Sequence, residues 1–490
     1  MRKIILIKIM LIAVALGADF TLSPDWHLND LCEELELRGI VPKLPEVKPY
    51  SSDVLLAVCK ANPHAFYARR VSRLIDRRSI PDVGWIYWTP GVWFGNRWDS
   101  RLSEFGRMNI GVGGMHSDFT ILGIYRLDSG YYYDPEYFGA RWERIAGKAD
   151  QVYLRWRKGD YYVQLGRDYL SYGLGVALSG AKPFEMAQAK FRLGKYVNLH
   201  WFIGQLDEYV EWAGTTKVIY NRFLAGHMWE VSVGPANFSF SELMLFGGVG
   251  RRVEMYYMLP LFELHGEQLN HRWDDNTVWI LNGKLLLPPV RLRGEIVIDD
   301  YQIEHKTPGD REPTEAGLAA QVDYGLSFKK LFLTPTVRYE LVLNRTFNQS
   351  KPWNRYLYEG KPLGAQLGND FDKISAGIKL FGKDFGGNLG VFYIRKGEGR
   401  IDDPWTEPWL DDPNYKEPFP TGVVERKAGF SVDLFYDRGF YKSKYFQSDF
   451  SVSLSLEYSR VTNADHIEGK ERNEWKIKFD LGLVLFGKGF

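Results

Sequence analysis

FSVSLSLEY (residues 450–458) and WKIKFDLGL (residues 475–483) are the stretches that decide the fold. In both, apolar residues alternate with polar residues or glycine, so that one face is apolar and the opposite face is polar. A period of two residues is typical of a β-strand, because successive side chains point to opposite sides of a sheet, and it does not fit a helix. Both stretches are therefore predicted to be strands that separate an apolar environment from a polar one.

The alternating pattern extends over most of the chain from Val83 onward. It recurs, for example, at residues 152–156, 318–328 and 430–436. Short polar turns are predicted at residues 158–160, 329–330, 382–384 and 437–439. Much longer irregular stretches lie between the hairpins, approximately at residues 128–150, 262–276, 302–316, 344–372 and 396–426. Tight turns on one rim and long loops on the other are typical of outer-membrane β-barrels.

Residues 81–490 are therefore predicted to form an all-β transmembrane β-barrel. Its size, at roughly ten residues per strand plus connections, suggests about 16–18 antiparallel strands. A chain in lipid must pair every backbone N–H and C=O group within itself, so membrane strands imply a closed sheet. An aromatic content of 15% also suits a large soluble sandwich or propeller. The asymmetry between turns and loops favours the barrel.

Residues 1–18 are predicted to be a cleaved signal peptide, which implies export to the outer membrane. Two basic residues precede an apolar run, 4–16, interrupted only by Lys8, and the small residues Gly17 and Ala18 follow. An uncleaved anchor is the alternative, but the run is shorter than the roughly 20 residues that a spanning helix needs. The later sequence contains no apolar run of that length, which argues against a helical membrane protein.

Residues 19–80 are predicted to form a small helical N-terminal unit. In the first helix, Asn29 and Asp30 are placed to cap a run of apolar residues at helical spacing, and Gly39 is placed to end it. Ser51 and Ser52 are placed to cap a second helix that ends near Asn62. A third, arginine-rich helix is expected to present a solvated face, to touch anionic lipid or to close one barrel mouth. Its arginines are Arg69, Arg70, Arg73, Arg77 and Arg78.

The two cysteines and the charge balance limit the remaining possibilities. Cys32 and Cys59 both fall in the helical unit, where either a disulfide or two buried free thiols would be acceptable.

The chain has 62 Lys and Arg against 61 Asp and Glu, and removing Arg2, Lys3 and Lys8 leaves 59 against 61. This balance argues against nucleic acid as a partner.

Three stretches resemble the Wzi-type capsule assembly family of outer-membrane proteins. They are GRDYLSYGLGVALSGAKPF (166–184), NRFLAGHMWEVSVGPANFSFSELMLFGG (221–248), and YYMLPLFELHGEQLNHRWDDNTVWILNGKL (256–285) followed by RGEIVIDDY (293–301). Tyr172 stands where the family usually has Trp. The positions that carry the resemblance, which we interpret as structural, are Gly166, Arg167, Tyr172, Gly173, Gly175, Ser179, Arg222, His227, Glu242, Asp299 and Asp300.

The resemblance implies a barrel closed off as a pore, with helices, that helps to hold or organise exopolysaccharide at the cell surface. The C-terminal third matches the family only in its barrel character. The partners expected on this interpretation are outer-membrane lipid, the barrel insertion machinery and a surface polysaccharide. The terminal Phe490 supports insertion by that machinery, although it is out of phase with the apolar face of the last strand.

No enzymatic constellation is recognisable, and neither a cofactor nor a metal is expected. Asp299 and Asp300 are adjacent, as are Asp274 and Asp275, and adjacent strand residues point to opposite faces. Neither pair can therefore flank one glycosidic bond as a hydrolase acid and nucleophile would. The nine histidines show no close metal-binding pair, and no nucleophile elbow or phosphate-binding loop is present.

Two predicted loops carry aromatic residues next to polar groups, a combination that suits sugar rings. The candidate carbohydrate-binding residues are Trp353, Tyr356, Asp402, Trp405, Trp409 and Tyr415. The alternative is that these aromatics anchor the barrel at the lipid headgroups or pack the loops onto each other.

A transport channel is the competing function. Residues 26–59 faintly resemble a surface-layer-homology module, which would tether such a porin to the cell wall. An open porin would also line its channel with charges like those of a closed barrel, so the sequence leaves a plugged and a conducting lumen both open.

Overall fold

The structure is a computed structural model of the 490-residue chain. It describes residues 21–22, 27–71, 83–95, 99–116, 118–128, 137, 139–142, 145–261, 263–300, 312–412, 414–442 and 446–487. The predicted signal peptide, the C-terminal part of the arginine-rich helix and Phe490 lie outside these ranges. So do Arg73, Arg77 and Arg78.

Within the described ranges, eighteen long strands pair antiparallel with their neighbours along the chain, and the last pairs with the first, which closes a barrel. This confirms the predicted fold class. The strands are β1 (Val83–Gly95), β2 (Asp99–His116), β3 (Phe119–Asp128), β4 (Ile145–Lys158), β5 (Tyr161–Asp168), β6 (Phe184–Leu193), β7 (Val197–Gln205), β8 (Thr216–Val233), β9 (Ala236–Val249), β10 (Asn276–Leu287), β11 (Val290–Asp300), β12 (Glu315–Tyr324), β13 (Leu331–Val342), β14 (Phe371–Gly382), β15 (Phe385–Lys396), β16 (Glu425–Lys442), β17 (Phe446–Thr462) and β18 (Glu471–Gly487).

The stretches that decided the fold lie side by side in β17 and β18. Val452 is opposite Leu481 and Leu454 is opposite Phe479, so the apolar residues of both strands share one face. Phe450 on this face is 39% exposed, which is the behaviour of an outward side chain in contact with lipid. The polar residues between them face the lumen.

The two rims differ as predicted, with one correction. Tight connections occur at residues 159–160, 234–235, 288–289 and 383–384, and they define the short-turn rim. The prediction of a turn at residues 437–439 is wrong, because β16 continues through them, paired with β17, to Lys442. The polar residues that indicated a turn belong to a strand with a register irregularity between Gly439 and Tyr441.

The helical unit contains α1 (Leu28–Leu37) and α2 (Ser52–Ala61), joined by a chain with a two-residue strand, Val47–Lys48. His27 is the N-cap of α1, so Asn29 and Asp30 lie inside the helix and the predicted caps are corrected. The Asn29 side chain accepts a hydrogen bond from the Tyr50 backbone N–H (2.9 Å) instead. Ser51 is the N-cap of α2, as predicted.

A shared apolar core fixes this unit against the short-turn rim. Leu31, Cys32, Leu35 and Leu55 are fully buried. Together with neighbouring apolar residues they pack against Phe332 and Phe381 of the barrel, next to the tight turns. Both Cys32 and Cys59 are buried free thiols, which decides between the two possibilities that the sequence left open.

Two further helices lie in the long loops: α3 (Leu264–His271), between β9 and β10, and α4 (Pro408–Asp411), between β15 and β16. No helix among the described residues is long and apolar enough to cross a bilayer.

Candidate functional site

The barrel lumen is filled in layers, and the first layer is the acidic face of α1. Glu33 pairs with Arg293 (3.1 Å), and Glu36 pairs with Arg291 (3.1 Å) and Lys284 (2.8 Å), all of them buried. Burial raises the pKa of Glu33, but the positive charges of Arg293, Lys48 and Arg291 outweigh it and leave this pKa well below its ordinary value. Complementary charges thus hold α1 against the inner wall.

Arg70 makes a further contact between the helical unit and the barrel wall, at β16. Its guanidinium is buried, pairs with Asp437 (2.6 Å) and lies over the ring of Phe435 (4.6 Å). Arg70 therefore does not belong to a solvated face, whereas Arg69 is exposed. This pair also explains why the polar residues near 437 are part of a strand rather than of a turn.

The second layer is the inner loop, residues 169–183, which connects β5 and β6. This loop enters the lumen and pairs with the helical unit, with Val47 opposite Tyr172 and Lys48 opposite Ser171. Gly173 donates its N–H to the Glu46 carbonyl (2.9 Å), and the buried Tyr172 hydroxyl lies 2.8 Å from His200 Nδ1. Tyr172, which stands where the Wzi-type motif usually has Trp, is therefore an internal packing residue.

Glu295 of β11 fixes the tip of the inner loop. Its carboxylate accepts hydrogen bonds from the backbone N–H groups of four consecutive residues, 174–177, at 2.5–3.2 Å. Gly173 and Gly175 adopt positive φ values of 51° and 83°, which glycine tolerates and which let successive N–H groups converge on one anion. The motif glycines therefore shape a backbone site for an internal carboxylate.

The third layer is the outer loop, residues 343–370, which lies above the inner loop. Ala365 donates its N–H to the Val176 carbonyl (2.8 Å), and the Ser179 hydroxyl donates to the Leu363 carbonyl (3.1 Å). Asp299 accepts a hydrogen bond from the Phe347 N–H (2.5 Å).

Arg222 of β8 clamps the outer loop from the wall. Its guanidinium donates to the carbonyls of Trp353 (2.7 Å), Arg355 (2.8 Å) and Leu357 (2.7 Å) and pairs with Asp207 (2.9 Å). A single planar cation thus holds three alternate carbonyls of one short stretch of the loop, residues 353–357.

The candidate sugar-binding residues separate into two groups. Tyr356 is fully buried and stacks on Phe347 at 5.0 Å between ring centres, so it offers no face to a sugar, which corrects the expectation from sequence. Trp353 is partly exposed and stacks on Tyr220 at 4.3 Å. Asp402 is exposed and pairs with Arg400.

Trp405, Trp409 and Tyr415 do come together, around Arg345. The Arg345 guanidinium lies 5.4 Å and 4.7 Å from the two indole centres and pairs with Glu417 (3.3 Å). Trp409 is buried and Trp405 is partly exposed. Loop packing accounts for Trp409, and Trp405 keeps accessible surface for a ligand.

A second aromatic site, which the sequence analysis missed, lies at the long-loop rim beside β3 and β4. This rim cavity of about 390 Å³ is lined by the aromatic side chains of Tyr125, Tyr137 and Trp142. Trp142 is 76% exposed. The only sequence signal was the aromatic content of the predicted loop 128–150.

Three cations surround one carboxylate at the same rim cavity. Glu359 lies 3.1 Å from Lys182, 3.9 Å from Arg167 and 4.0 Å from Lys148. Arg167 also pairs with Glu185 (2.6 Å). Three positive charges against two negative charges, next to aromatic faces, suit a sugar that carries a carboxylate.

The other motif positions are not at this cavity. Gly166 has a φ of 131°, at the point where β5 passes Tyr153 closely. His227 and Glu242 lie on the outward face, 3.6 Å apart. The Asp300 side chain lies outside the described atoms. No cluster of three or more metal-binding side chains occurs among the described residues.

Comparison with known proteins supports the fold. No protein-family model matches the chain, and no curated protein matches its sequence. The chain is similar in structure to Wzi, described as an outer-membrane protein involved in group 1 capsule assembly in Escherichia coli and as a carbohydrate-binding β-barrel. The TM-score is 0.64 at 13% identity, over 96% of this chain and 99% of that one.

Two structures from Pseudomonas aeruginosa, OccK10 (OpdN) and the outer membrane protein OprD, match less well. OccK10 (OpdN) has a TM-score of 0.45 at 10% identity, and OprD has 0.43 at 11% identity, each over at least 82% of this chain and 96% of the other. The closed sheet and the structural similarity to Wzi give the chain an outer-membrane β-barrel fold.

Proposed function

We propose that this protein is a non-enzymatic outer-membrane protein that assembles or retains a polysaccharide at the cell surface. On this proposal the chain is exported by its signal peptide, folded by the barrel insertion machinery and held by outer-membrane lipid. The resemblance of its motifs to the Wzi-type family supports the proposal, as does the structural similarity to Wzi.

One observation carries the proposal. Three segments of the described chain, namely the helical unit, the inner loop and the outer loop, are stacked through the lumen and bonded to each other and to the wall. A solute channel gains nothing from such filling, whereas a surface scaffold gains a rigid platform of loops. The rim cavity and Trp405 add aromatic and charged surface that a polysaccharide could contact.

The proposal is tested by deleting the gene and measuring the polysaccharide in the cell fraction and in the medium. We expect polysaccharide to move from the cell surface to the medium and to return when the wild-type gene is restored. Unchanged retention would contradict the proposal.

Planar-bilayer conductance separates this function from transport. We expect the purified protein to give no steady channel, because the lumen is filled. Large, stable conductance steps would favour a porin, which the sequence left as the alternative.

A further inference from the structure

The loop between β9 and β10 folds down the outside of the barrel rather than over its mouth. We call residues 250–261 and 263–273 the outer-wall segment; it contains the 3₁₀-helix Tyr256–Met258 and α3. Tyr257 and Leu264 of this segment pack with Phe223, Met244 and Phe246 in one buried cluster. Their strand neighbours Leu224, Leu243 and Leu245 pack instead with the inner loop. Because neighbouring strand residues face opposite sides, the outer-wall segment lies on the outward face.

Polar residues of the wall hold this segment in place. Glu242 accepts hydrogen bonds from the N–H groups of Leu264 (2.7 Å) and His265 (2.9 Å), in the first turn of α3. Thr277 donates its hydroxyl to Gln268 (2.8 Å), farther along α3. A carboxylate suits a helix N-terminus, because the free N–H groups and the helix dipole favour a negative charge.

The height of Glu242 places this contact within the membrane. Glu242 lies seven residues above Pro235 at the short-turn rim. At about 3.3 Å per residue and a strand tilt of about 40°, this is a height of about 18 Å, against an apolar band about 25 Å tall. A bare carboxylate facing lipid at that height would be costly, and α3 covers it.

The surface that the outer-wall segment turns away from the barrel carries strongly exposed apolar side chains next to exposed polar ones, namely Arg252, Glu263, Asn270, His271 and Arg272. Met255 is 75% exposed, Leu261 69% and Leu269 59%, comparable with 63% for Phe238 on the neighbouring lipid-facing wall. These side chains continue the apolar band of the barrel.

We propose that the outer-wall segment inserts into the outer leaflet, with the acyl chains of membrane lipid covering Met255, Leu261 and Leu269. The segment would widen the barrel's contact with lipid on one side and fix its rotational position in the leaflet. This inference does not depend on the proposed role in polysaccharide assembly.

The test uses nitroxide labels on the full-length protein in phosphatidylcholine vesicles. Labels are attached at Leu261→Cys, Leu269→Cys and, as a third position, Met255→Cys. Phe238→Cys serves as a lipid-facing control and Leu410→Cys, in an exposed loop, as a water-facing control. The unsubstituted protein, whose own thiols are buried, measures background labelling.

Collision rates with lipid-soluble oxygen and with a water-soluble nickel chelate give the depth of each label. We expect the oxygen-to-nickel ratio at the three test positions to match Phe238→Cys and to exceed Leu410→Cys several-fold. Ratios equal to those at Leu410→Cys would overturn the proposal. Spin–spin broadening that disappears on dilution with unlabelled protein would also overturn it, since a second copy would then cover the segment.

Discussion

Glu295 shows how one side chain can organise a loop that no local sequence pattern predicts. It is an inward residue of β11 and accepts hydrogen bonds from N–H groups that lie more than a hundred residues away in the sequence. An ionised carboxylate has two oxygens and several lone pairs, so it can satisfy four donors at once. An amide keeps only one accepting oxygen.

We therefore expect Glu295→Gln to destabilise the barrel. Hydrogen bonds to a charged group contribute roughly 1.5–3 kcal/mol each and are not additive, so we expect a loss of about 2–4 kcal/mol. Urea unfolding in lipid vesicles measures the change. Glu340→Gln, which removes one partly exposed partner of Arg338, is the control and should lose about 1 kcal/mol or less. Equal losses in the two variants would contradict the role of Glu295.

The two thiols give a second prediction for single residues. Burial raises the pKa of Cys59 to about 11 and that of Cys32 well above its ordinary value. Because the thiolate is the reactive form, the native protein should not react with a thiol reagent at pH 8, and both thiols should react after unfolding. A protein that stays unreactive when unfolded without reductant would contain a disulfide, contrary to the structure.

Among the elements, α1 is held by buried charge as well as by its apolar face. Glu33 is an ion-pair partner of both Arg293 and Lys48. Removing its charge takes the nearest carboxylate away from both cations inside the lumen. Breaking such a buried pair costs about 3–5 kcal/mol, so Glu33→Gln should strongly lower the hydrogen-exchange protection of α1 at pH 7. Asp53→Asn, which removes a half-exposed partner of Arg157, should have little effect.

Acid should weaken the attachment of α1 to the barrel wall, because folding lowers the pKa of Glu33. The pKa of Glu33 in the folded protein lies well below its ordinary value of 4.5. The stabilisation is therefore complete above about pH 4.5 and is lost as the pH falls through the lower folded value. Protection factors of α1, corrected for intrinsic exchange, should stay constant from pH 7 to pH 5 and fall only in stronger acid. A fall near pH 6 would contradict this assignment.

The whole molecule should behave as a membrane barrel. Its outward face is apolar over many strands, so the folded protein should require detergent. Unboiled and boiled samples should migrate differently on a denaturing gel, because a closed sheet resists detergent until heated. A protein that is freely soluble and monomeric without detergent would contradict the barrel.

Much of the architecture could be predicted from the sequence. The alternation in residues 450–458 and 475–483 indicated strands, and the unequal connections indicated a membrane barrel with two different rims. Local rules failed at residues 437–439, where polar residues mark an ion pair with Arg70 and not a turn. They also failed at Asn29 and Asp30, because Tyr50 competes for the Asn29 side chain.

The sequence alone determined that most of the chain forms strands with one apolar and one polar face, since a period of two is a local property of the backbone. Only the tertiary structure decided what fills the lumen and which polar residues face outward. The Glu295 contacts join residues that are distant in sequence, and the outward Glu242 is acceptable only because α3 returns to cover it. Periodicity fixes which residues share a face, whereas closure of the sheet and the paths of the loops decide what each face meets.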